Sequence, residues 1–531
     1  MSEAFDYVIV GAGSAGSVLA NRLTEDGKFS VLLLEAGPRD RNPWIHIPIG
    51  YSKLFDNPKV NWLYETEPEP ELNGRRIVQP RGKVLGGSSS INGLIYVRGQ
   101  HADYDHWRQL GNRGWSFEDV LPYFRRAEDQ ERGADEWHGA GGAIGVSNAR
   151  DSHPLVEAFI EAGESLGLPR NEDFNGATQE GVGYFQTTMR KGWRCSTAVG
   201  YLKPARARPN LRIETEALAT RILFEGKRAV GIAYRQKGAL HEARAGREVL
   251  LCGGAINSPQ LLELSGIGDG KRLADLGIPL VHHSPQVGEN LQDHLQANII
   301  MECSKPITVN DQYNNLLRRA GMGLDFIVRR RGPLTVAAGF GAAFFKASAG
   351  SATPDTQVHF ITFSTDKRGS ALHDFSGFTA SVCLLRPESR GSVHIASPDP
   401  QEAPKIVANY LTSEADRLAS VAGMKRLREI LRAEPFKPFV KREVRPGPDV
   451  VTDADLLEYW RAAASTIFHP TCTCAMGPEE TAVVSPELKV KGVENLRVVD
   501  GSIMPRLVSG NTNAPVIMIG EKAADMIRAD A

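Results

Sequence analysis

The stretch Phe5-Asp6-Tyr7-Val8-Ile9-Val10-Gly11-Ala12-Gly13-Ser14-Ala15-Gly16 decides the fold. Its first six residues alternate poorly between apolar and polar, which predicts a buried parallel strand. The glycines at 11, 13 and 16 break that strand. Val18, Leu19 and Leu23 follow at helical spacing, and Ser30 to Leu34 reads as a second buried strand ending at Glu35. Together they make a strand–turn–helix–strand unit of about thirty residues. Gly11 permits the tight turn, Gly13 lets the backbone approach a pyrophosphate, and Gly16 lets helix and strand pack closely. The helix N-terminus offers unpaired N–H groups and partial positive charge to phosphates. Glu35, about twenty residues beyond the turn, can accept hydrogen bonds from ribose hydroxyls and would repel a 2′-phosphate. A ligand-free glycine turn is the bland alternative, and the strand before it and the helix after it speak against that.

Working outward, Arg81-Gly82-Lys83-Val84-Leu85-Gly86-Gly87-Ser88-Ser89-Ser90-Ile91-Asn92-Gly93 is too rich in glycine and serine for a core strand. Val84, Leu85 and Ile91 nevertheless ask for burial, so the segment reads as backbone wrapped around a large planar or anionic ligand. The parallel theme returns at Glu248 to Cys252, where Gly253-Gly254 follows and Ser258-Pro259 reads as a helix start. It returns again at Leu496 to Val499, ended by Asp500-Gly501. Asn513-Ala514-Pro515 opens a long helical pattern to Ile527. Between these parts, Thr356 to Phe363, Phe378 to Leu385 and Gly391 to Ala396 are strand-like. No helix-length segment separates the last two, which predicts that they pair antiparallel. The expected fold is α/β: a discontinuous Rossmann-like nucleotide-binding domain interrupted by an antiparallel sheet in roughly 305–460.

The chain has 531 residues, 41% of them apolar, and a net charge of −1, so nucleic acid is not an expected partner. Its six cysteines are scattered, and the Cys472/Cys474 spacing suits no zinc site, so neither disulfides nor a metal are expected. Met1 to Asp6 has no basic region ahead of an apolar run, and no stretch of 18 apolar residues occurs. A cytoplasmic protein without a transmembrane segment is expected, with peripheral attachment to the inner membrane left open.

Four stretches in order resemble the glucose–methanol–choline (GMC) oxidoreductases, FAD-dependent alcohol oxidisers. They are GAGSAG at 11–16 with Glu35, GKVLGGSSSINGLIYVRGQHADYD at 82–105, GAINSPQLLELSGIG at 254–268, and His469 with Asn511-Thr512-Asn513. The look is that of the choline-dehydrogenase-like and bacterial alcohol dehydrogenase branch. The resemblance implies an FAD-binding domain from 1–155, 205–305 and 462–531, and an inserted α+β substrate domain from 156–204 and 306–461. It places FAD against Gly11, Gly13, Ser14, Ala15, Gly16, Glu35 and Ala36. Trp62 and Arg81, then Leu85, Gly86, Gly87 and Ser88, then Asn92, Gly93, Leu94 and Ile95, follow along the flavin. Ala219 or its neighbour Leu218 meets the adenine, Asp500 and Gly501 the ribityl and phosphates, and Asn513 and Pro515 start the last helix beside the ring. Some choline-oxidising relatives attach the flavin through a histidine where this chain has Ile91. Isoleucine has no nucleophilic atom, so non-covalent FAD is expected.

Alcohol oxidation by a flavin needs a base for the hydroxyl proton and a hydride path to flavin N5. Among thirteen histidines, His469, between Phe468 and Pro470, stands where the family carries its catalytic histidine. Asn513 is taken as its partner, donating to the oxygen as charge develops. Phe468 and Phe360 are assigned to substrate, and Phe340, Phe344 and Phe363 add to an aromatic set that suits an apolar alcohol. No carboxylate can be placed against a quaternary ammonium, so aliphatic or aryl primary alcohols lead over choline. The electron acceptor is a quinone-like carrier or O2, with a dehydrogenase preferred over an oxidase. A redox-silent hydroxynitrile lyase remains the alternative activity within the family.

Overall fold

The structure, a computed structural model, describes residues 3–366 and 370–531; Met1 and Ser2, at the head of the run read for a signal, lie outside. The first strand, Glu3–Val10, sits between Val31–Glu35 and Ala239–Leu251, parallel to both. Leu211–Thr215 extends the sheet beyond Val31–Glu35, also in parallel. The helix Ser14–Thr24 is buried almost all round, because the helix Asn513–Ala529 lies against it. A Cβ on Gly520 would stand 3.1 Å from the Ala15 Cα, so the glycine lets the two helix backbones approach.

The apolar run at 248–252 belongs to a longer strand than expected. Ala239–Leu251 shares one edge between two partners. Its first half pairs antiparallel with Arg228–Gln236, which in turn pairs with Ala217–Glu225. Its last three residues pair in parallel with Leu496–Val498. The C-terminal strand thereby docks beside the nucleotide-binding turn.

The helix after this strand runs Gly254–Leu264, four residues earlier than the Ser258-Pro259 signal indicates. Pro259 has no N–H to give the Ala255 carbonyl in the preceding turn. The Thr473 hydroxyl donates to that carbonyl at 2.7 Å instead, so a tertiary contact carries the helix through its proline.

The second sheet is antiparallel throughout, in the order Val440–Arg445, Leu295–Cys303, Gly377–Leu384, Thr356–Ile361, Gly341–Phe345, Gly181–Tyr184. Leu295–Cys303 also pairs with Ser465–Thr466. Two of these strands, Leu295–Cys303 and Ser465–Thr466, lie in segments that the sequence boundaries gave to the nucleotide domain. Ser392–His394 does not pair with Gly377–Leu384; it pairs with Lys405–Val407. The turn between them is not a hairpin, because the Asp416 carboxylate takes the N–H groups of Glu388 and Ser389 and turns the chain away.

One face of this sheet carries Val358, Phe360, Phe378 and Ala380 into an apolar core shared with Phe159, Phe436 and Trp460. The other face is polar. Asn298, Ser381 and His359 stand side by side across three strands, and Asn298 accepts from the Ser381 hydroxyl at 2.7 Å.

Thr473→Val keeps the side-chain shape and leaves the Ala255 carbonyl buried without its donor. We expect a loss of about 1–2 kcal/mol in stability, read as a lowered denaturant midpoint with unchanged flavin content; an unchanged midpoint would show that the hydroxyl does not sustain the helix.

Candidate active site

A cavity of about 1050 Å3 lies between the two sheets. Its walls come from both ends of the chain: the first turn at 11–15, the loop at 80–95, residues 251–261, the polar face of the second sheet, and segments 467–471 and 500–516. Its volume exceeds that of most small-molecule pockets and has room for an extended ligand plus a substrate.

At one end, Gly11 has φ +100°, and a Cβ there would lie 2.5 Å from the Cys252 carbonyl oxygen. Gly16 carries no wall of the cavity: a Cβ on it would strike the Gly11 carbonyl at 1.9 Å, so it serves helix–strand packing. Glu35 accepts from the Ala12 N–H at 3.0 Å and the Gly37 N–H at 2.9 Å. Burial pushes its carboxyl up to about 7 against the pull of those two donors. Ala36, Leu218 and Ala219 complete this end.

The 81–93 loop lies directly on the first turn. Gly87 has φ +52°, and a Cβ on it would come within 2.7 Å of the Gly13 Cα. Leu85 and Gly86 turn away from the cavity; the Gly86 N–H instead donates to the Ala12 carbonyl at 2.8 Å. The loop is clamped from behind by Arg194, whose guanidinium donates to the carbonyls of Ile45, Ser89 and Asn92 and to the Asn92 side chain. Burial without a facing carboxylate pushes Arg194 down to about 9. Ile91 packs with Ile45, Leu54, Val60 and Val84. Gly93, Leu94, Ile95, Ser88 and Trp62 line the cavity, with Trp62 stacked on Tyr64. Asp500, whose carboxyl burial raises, accepts from Gly254 N–H, Ser258 Oγ and Ser502 N–H, and so ties the C-terminal strand end to the start of the Gly254–Leu264 helix. Glycine-lined backbone, a helix N-terminus and a buried acid along one elongated space fit FAD.

At the other end stands His469. Phe468 before it has φ +71°, a conformation uncommon for a bulky residue. Thr466 Oγ1 accepts the Phe468 N–H, and Arg81 donates to the Phe468 carbonyl at 2.6 Å. Burial pushes Arg81 down to about 10. The His469 N–H is held by Asp293 Oδ1 at 2.8 Å. The imidazole Nδ1 faces His294 Nδ1 at 2.9 Å, and Asn511 Nδ2 lies 3.3 Å from His469 Nε2.

This geometry assigns the protons. His294 Nε2 lies 2.9 Å from the Leu385 carbonyl, which can only accept, so His294 carries its hydrogen on Nε2. Burial pushes His294 down to about 4, so the ring is neutral and its Nδ1 is an acceptor. His469 must therefore donate from Nδ1, which leaves Nε2 as its basic nitrogen beside the Asn511 amide.

Asn513, assigned from sequence as the partner of His469, is placed differently. Its Oδ1 accepts from the Ser14 hydroxyl at 2.7 Å, so it lines the cavity while tying the last helix to the first turn. The residue beside His469 is Asn511, two positions earlier and just ahead of the helix. Two asparagines in Asn511-Thr512-Asn513 offer the same chemistry, and only the tertiary fold separates them. Thr512 is the helix N-cap and makes no side-chain cap bond. Pro515 lies inside the first turn of that helix, off the cavity.

Phe360 is a second correction. It is fully buried and stacks on Phe159 at 4.9 Å, on the core face of its strand. Its neighbours His359 and Ile361 point into the cavity. Phe340 and Phe344 also belong to cores, whereas Phe363 and Phe468 line the cavity. Sequence reasoning missed His294, Asp293, Asn511 and Arg194. The one available signal was Asp293-His294 at the head of the apolar run Leu295–Cys303.

Two matches to the GMC oxidoreductase family model cover residues 5–296 and 387–520. The chain is 45% identical to the mitochondrial choline dehydrogenase of Homo sapiens, over 99% of this chain and 90% of that protein. It is 43% identical to an alcohol dehydrogenase (acceptor) of Pseudomonas putida, over 98% and 95%. Among solved structures, pyridoxine 4-oxidase from Mesorbium loti superposes with a TM-score of 0.89 at 33% identity, over 98% of each chain.

The depressed His294 has a pH signature. Between about pH 6.5 and 4 the unfolded chain binds a proton there that the folded chain refuses, so its contribution is complete above 6.5 and is lost as pH falls toward 4. In His294→Gln the fall in stability over that window should be shallower by up to about 3 kcal/mol. Parallel pH profiles for the two proteins would overturn the neutral assignment.

Proposed function

The chain belongs to the GMC oxidoreductase family and is an FAD-dependent oxidoreductase of the alcohol type, and on that premise we propose that it oxidises a neutral primary alcohol, aliphatic or aryl, to the aldehyde. The observation that carries the reading is the 2.9 Å approach of His469 Nδ1 to His294 Nδ1, whose ring gives its own hydrogen to the Leu385 carbonyl; it supports a donor at His469 Nδ1 and a basic Nε2 toward the cavity. FAD, when bound, supplies the hydride acceptor.

The residues of the chain do the remaining work. His469 Nε2 takes the hydroxyl proton, a contribution of typically 10²–10⁴-fold. Asn511 Nδ2 donates to the substrate oxygen as negative charge grows. The charge acquired by the imidazole is shared through Nδ1–H with the neutral His294 ring. Asp293 holds the backbone of both histidines, so neither ring needs to reorient during the step. His469 is only 8% exposed, which keeps competing water away from its base.

The wall beside this base supports a neutral substrate. Residues alternate along the strand Leu295–Cys303, so His294, Gln296 and Asn298 share a face, and the latter two line the cavity. Both are uncharged amides. Among the described cavity residues the carboxylates are Glu35, Asp366 and Asp500. Glu35 and Asp500 are committed to backbone N–H groups, and Asp366 is exposed and pairs with Arg445. A trimethylammonium head would find no uncommitted carboxylate among the described cavity residues.

The buried aliphatic side chain of Ile91 supports FAD held without a covalent bond. The six cysteines are free, which supports a reducing, cytoplasmic setting. The electron acceptor is a quinone-like carrier or O2: the Pseudomonas relative is named for an unspecified acceptor, and a choline dehydrogenase of Brucella ovis is named oxygen-dependent.

The test is an anaerobic panel of alcohols scored by loss of the oxidised flavin absorbance. Aliphatic or aryl primary alcohols should bleach the protein and choline should not; faster bleaching by choline would overturn the neutral-substrate reading. His469→Ala should slow bleaching by about 10³-fold with the flavin spectrum retained, and near-normal bleaching would remove it as the base. Asn511→Ala should cost about 10²–10³-fold, and more than Asn513→Ala. Acid precipitation should release the flavin into the supernatant; yellow pellets would refute non-covalent binding.

A further inference from the structure

Helix Leu316–Arg329 is amphipathic in the reverse sense. Its inward face seats Met322 and Phe326, both buried, with Phe326 edge-on to Trp193 at 5.1 Å. Its outward face carries Leu316, Leu317, Leu324, Ile327 and Val328, each between 63% and 85% exposed. At about 100° per residue these five fall within an arc of roughly 120°. Scattered exposed apolar residues are ordinary, but a continuous apolar stripe turned outward marks an interaction surface.

The charges beside the stripe identify what it meets. Arg318, Arg319 and Arg329 lie on the same helix outside the stripe and Arg330 and Arg331 follow it directly; against these five stand the one acid of the helix, Asp325, 3.6 Å from Arg329, and Asp151, 3.8 Å from Arg331. Trp193 is partly exposed beside the helix, with the Arg330 guanidinium 4.6 Å over its ring. Trp44 is also exposed, on helix Pro43–His46, which packs against the strand Trp193–Arg194. Apolar side chains flanked by arginines and tryptophans fit the boundary of a lipid bilayer, where acyl chains lie below phosphates. A symmetric second copy fits worse, since it would set five arginines against five.

We propose that Leu316–Arg329 is a membrane-contact helix that lies in the headgroup layer of an anionic phospholipid bilayer. Leu316, Leu317, Leu324, Ile327 and Val328 enter the acyl boundary and the arginines meet lipid phosphates. The contact is peripheral: among the described residues, no helix is long and apolar enough to cross a membrane. Tyr313, Arg319, Met322 and Gly323 line the cavity, so docking sets the cavity mouth on the lipid surface. This goes beyond the proposed reaction and stands whichever alcohol is oxidised.

The purified holoprotein should co-sediment with phosphatidylcholine vesicles that contain phosphatidylglycerol. Binding should weaken in pure phosphatidylcholine and in high salt, each arginine near an anionic surface adding about fivefold. Leu324→Asp with Ile327→Asp should weaken vesicle binding by at least about tenfold, with flavin content and alcohol bleaching measured without vesicles unchanged. Failure of the unaltered protein to bind anionic vesicles would overturn the proposal. So would a dimer, seen by light scattering, that the double substitution splits. Loss of bleaching in the unaltered protein would count against the alcohol reading alone.

Discussion

The buried carboxylate of Asp293 holds the His469 end of the cavity together. Oδ1 accepts from the backbone N–H groups of His294 and His469, and Oδ2 from Thr466 Oγ1, Tyr410 Oη and Gln79 Nε2. Those donors come from four separate parts of the chain. A buried carboxylate is costly unless its lone pairs are occupied, so each donor is needed and each fixes its own segment. The neighbouring Arg81, which holds the Phe468 carbonyl, supplies nearby positive charge. The positive φ at Phe468 persists because the bonds on either side determine it. His469 is thereby presented by a rigid turn on a loop, with its ring nitrogen chosen by His294.

The second sheet divides its labour between its faces. Strand alternation sends Val358, Phe360, Phe378 and Ala380 into a core, and sends His359, Ile361, Thr379 and Ser381 to the cavity. The apolar face secures the sheet against its helices. The strand Leu295–Cys303 joins the two tasks: it pairs along its length with Gly377–Leu384, while His294 at its head reaches His469.

Short-range signals were legible in the sequence. The first turn, the glycine–serine loop and the long C-terminal helix all rest on residues close together in the chain, where turn geometry and capping leave a mark. His469 was reached by resemblance, since nothing around it distinguishes it from twelve other histidines. What escaped depended on contacts across long separations. His294 and His469 are 175 residues apart, and Asn511 differs from Asn513 only in what the fold places beside it. Phe360 was misplaced although Gln357 and His359 alternate with Val358 and Phe360: the alternation separates the two faces of Thr356–Ile361, but both are buried, and only the tertiary fold shows that the polar one faces the cavity. The helix through Pro259 escaped for the same reason, its missing bond being replaced by a hydroxyl far along the chain.

The last helix, Asn513–Ala529, grips the first through Ser14 to Asn513 and through Arg22 to Glu521. A ribosome therefore releases the N-terminal turn hundreds of codons before the element that closes over it. Until the final residues clear the exit tunnel, the nascent chain holds the nucleotide turn without its covering helix and without the histidine. A premature stop near the end would discard the whole catalyst, not trim its tail.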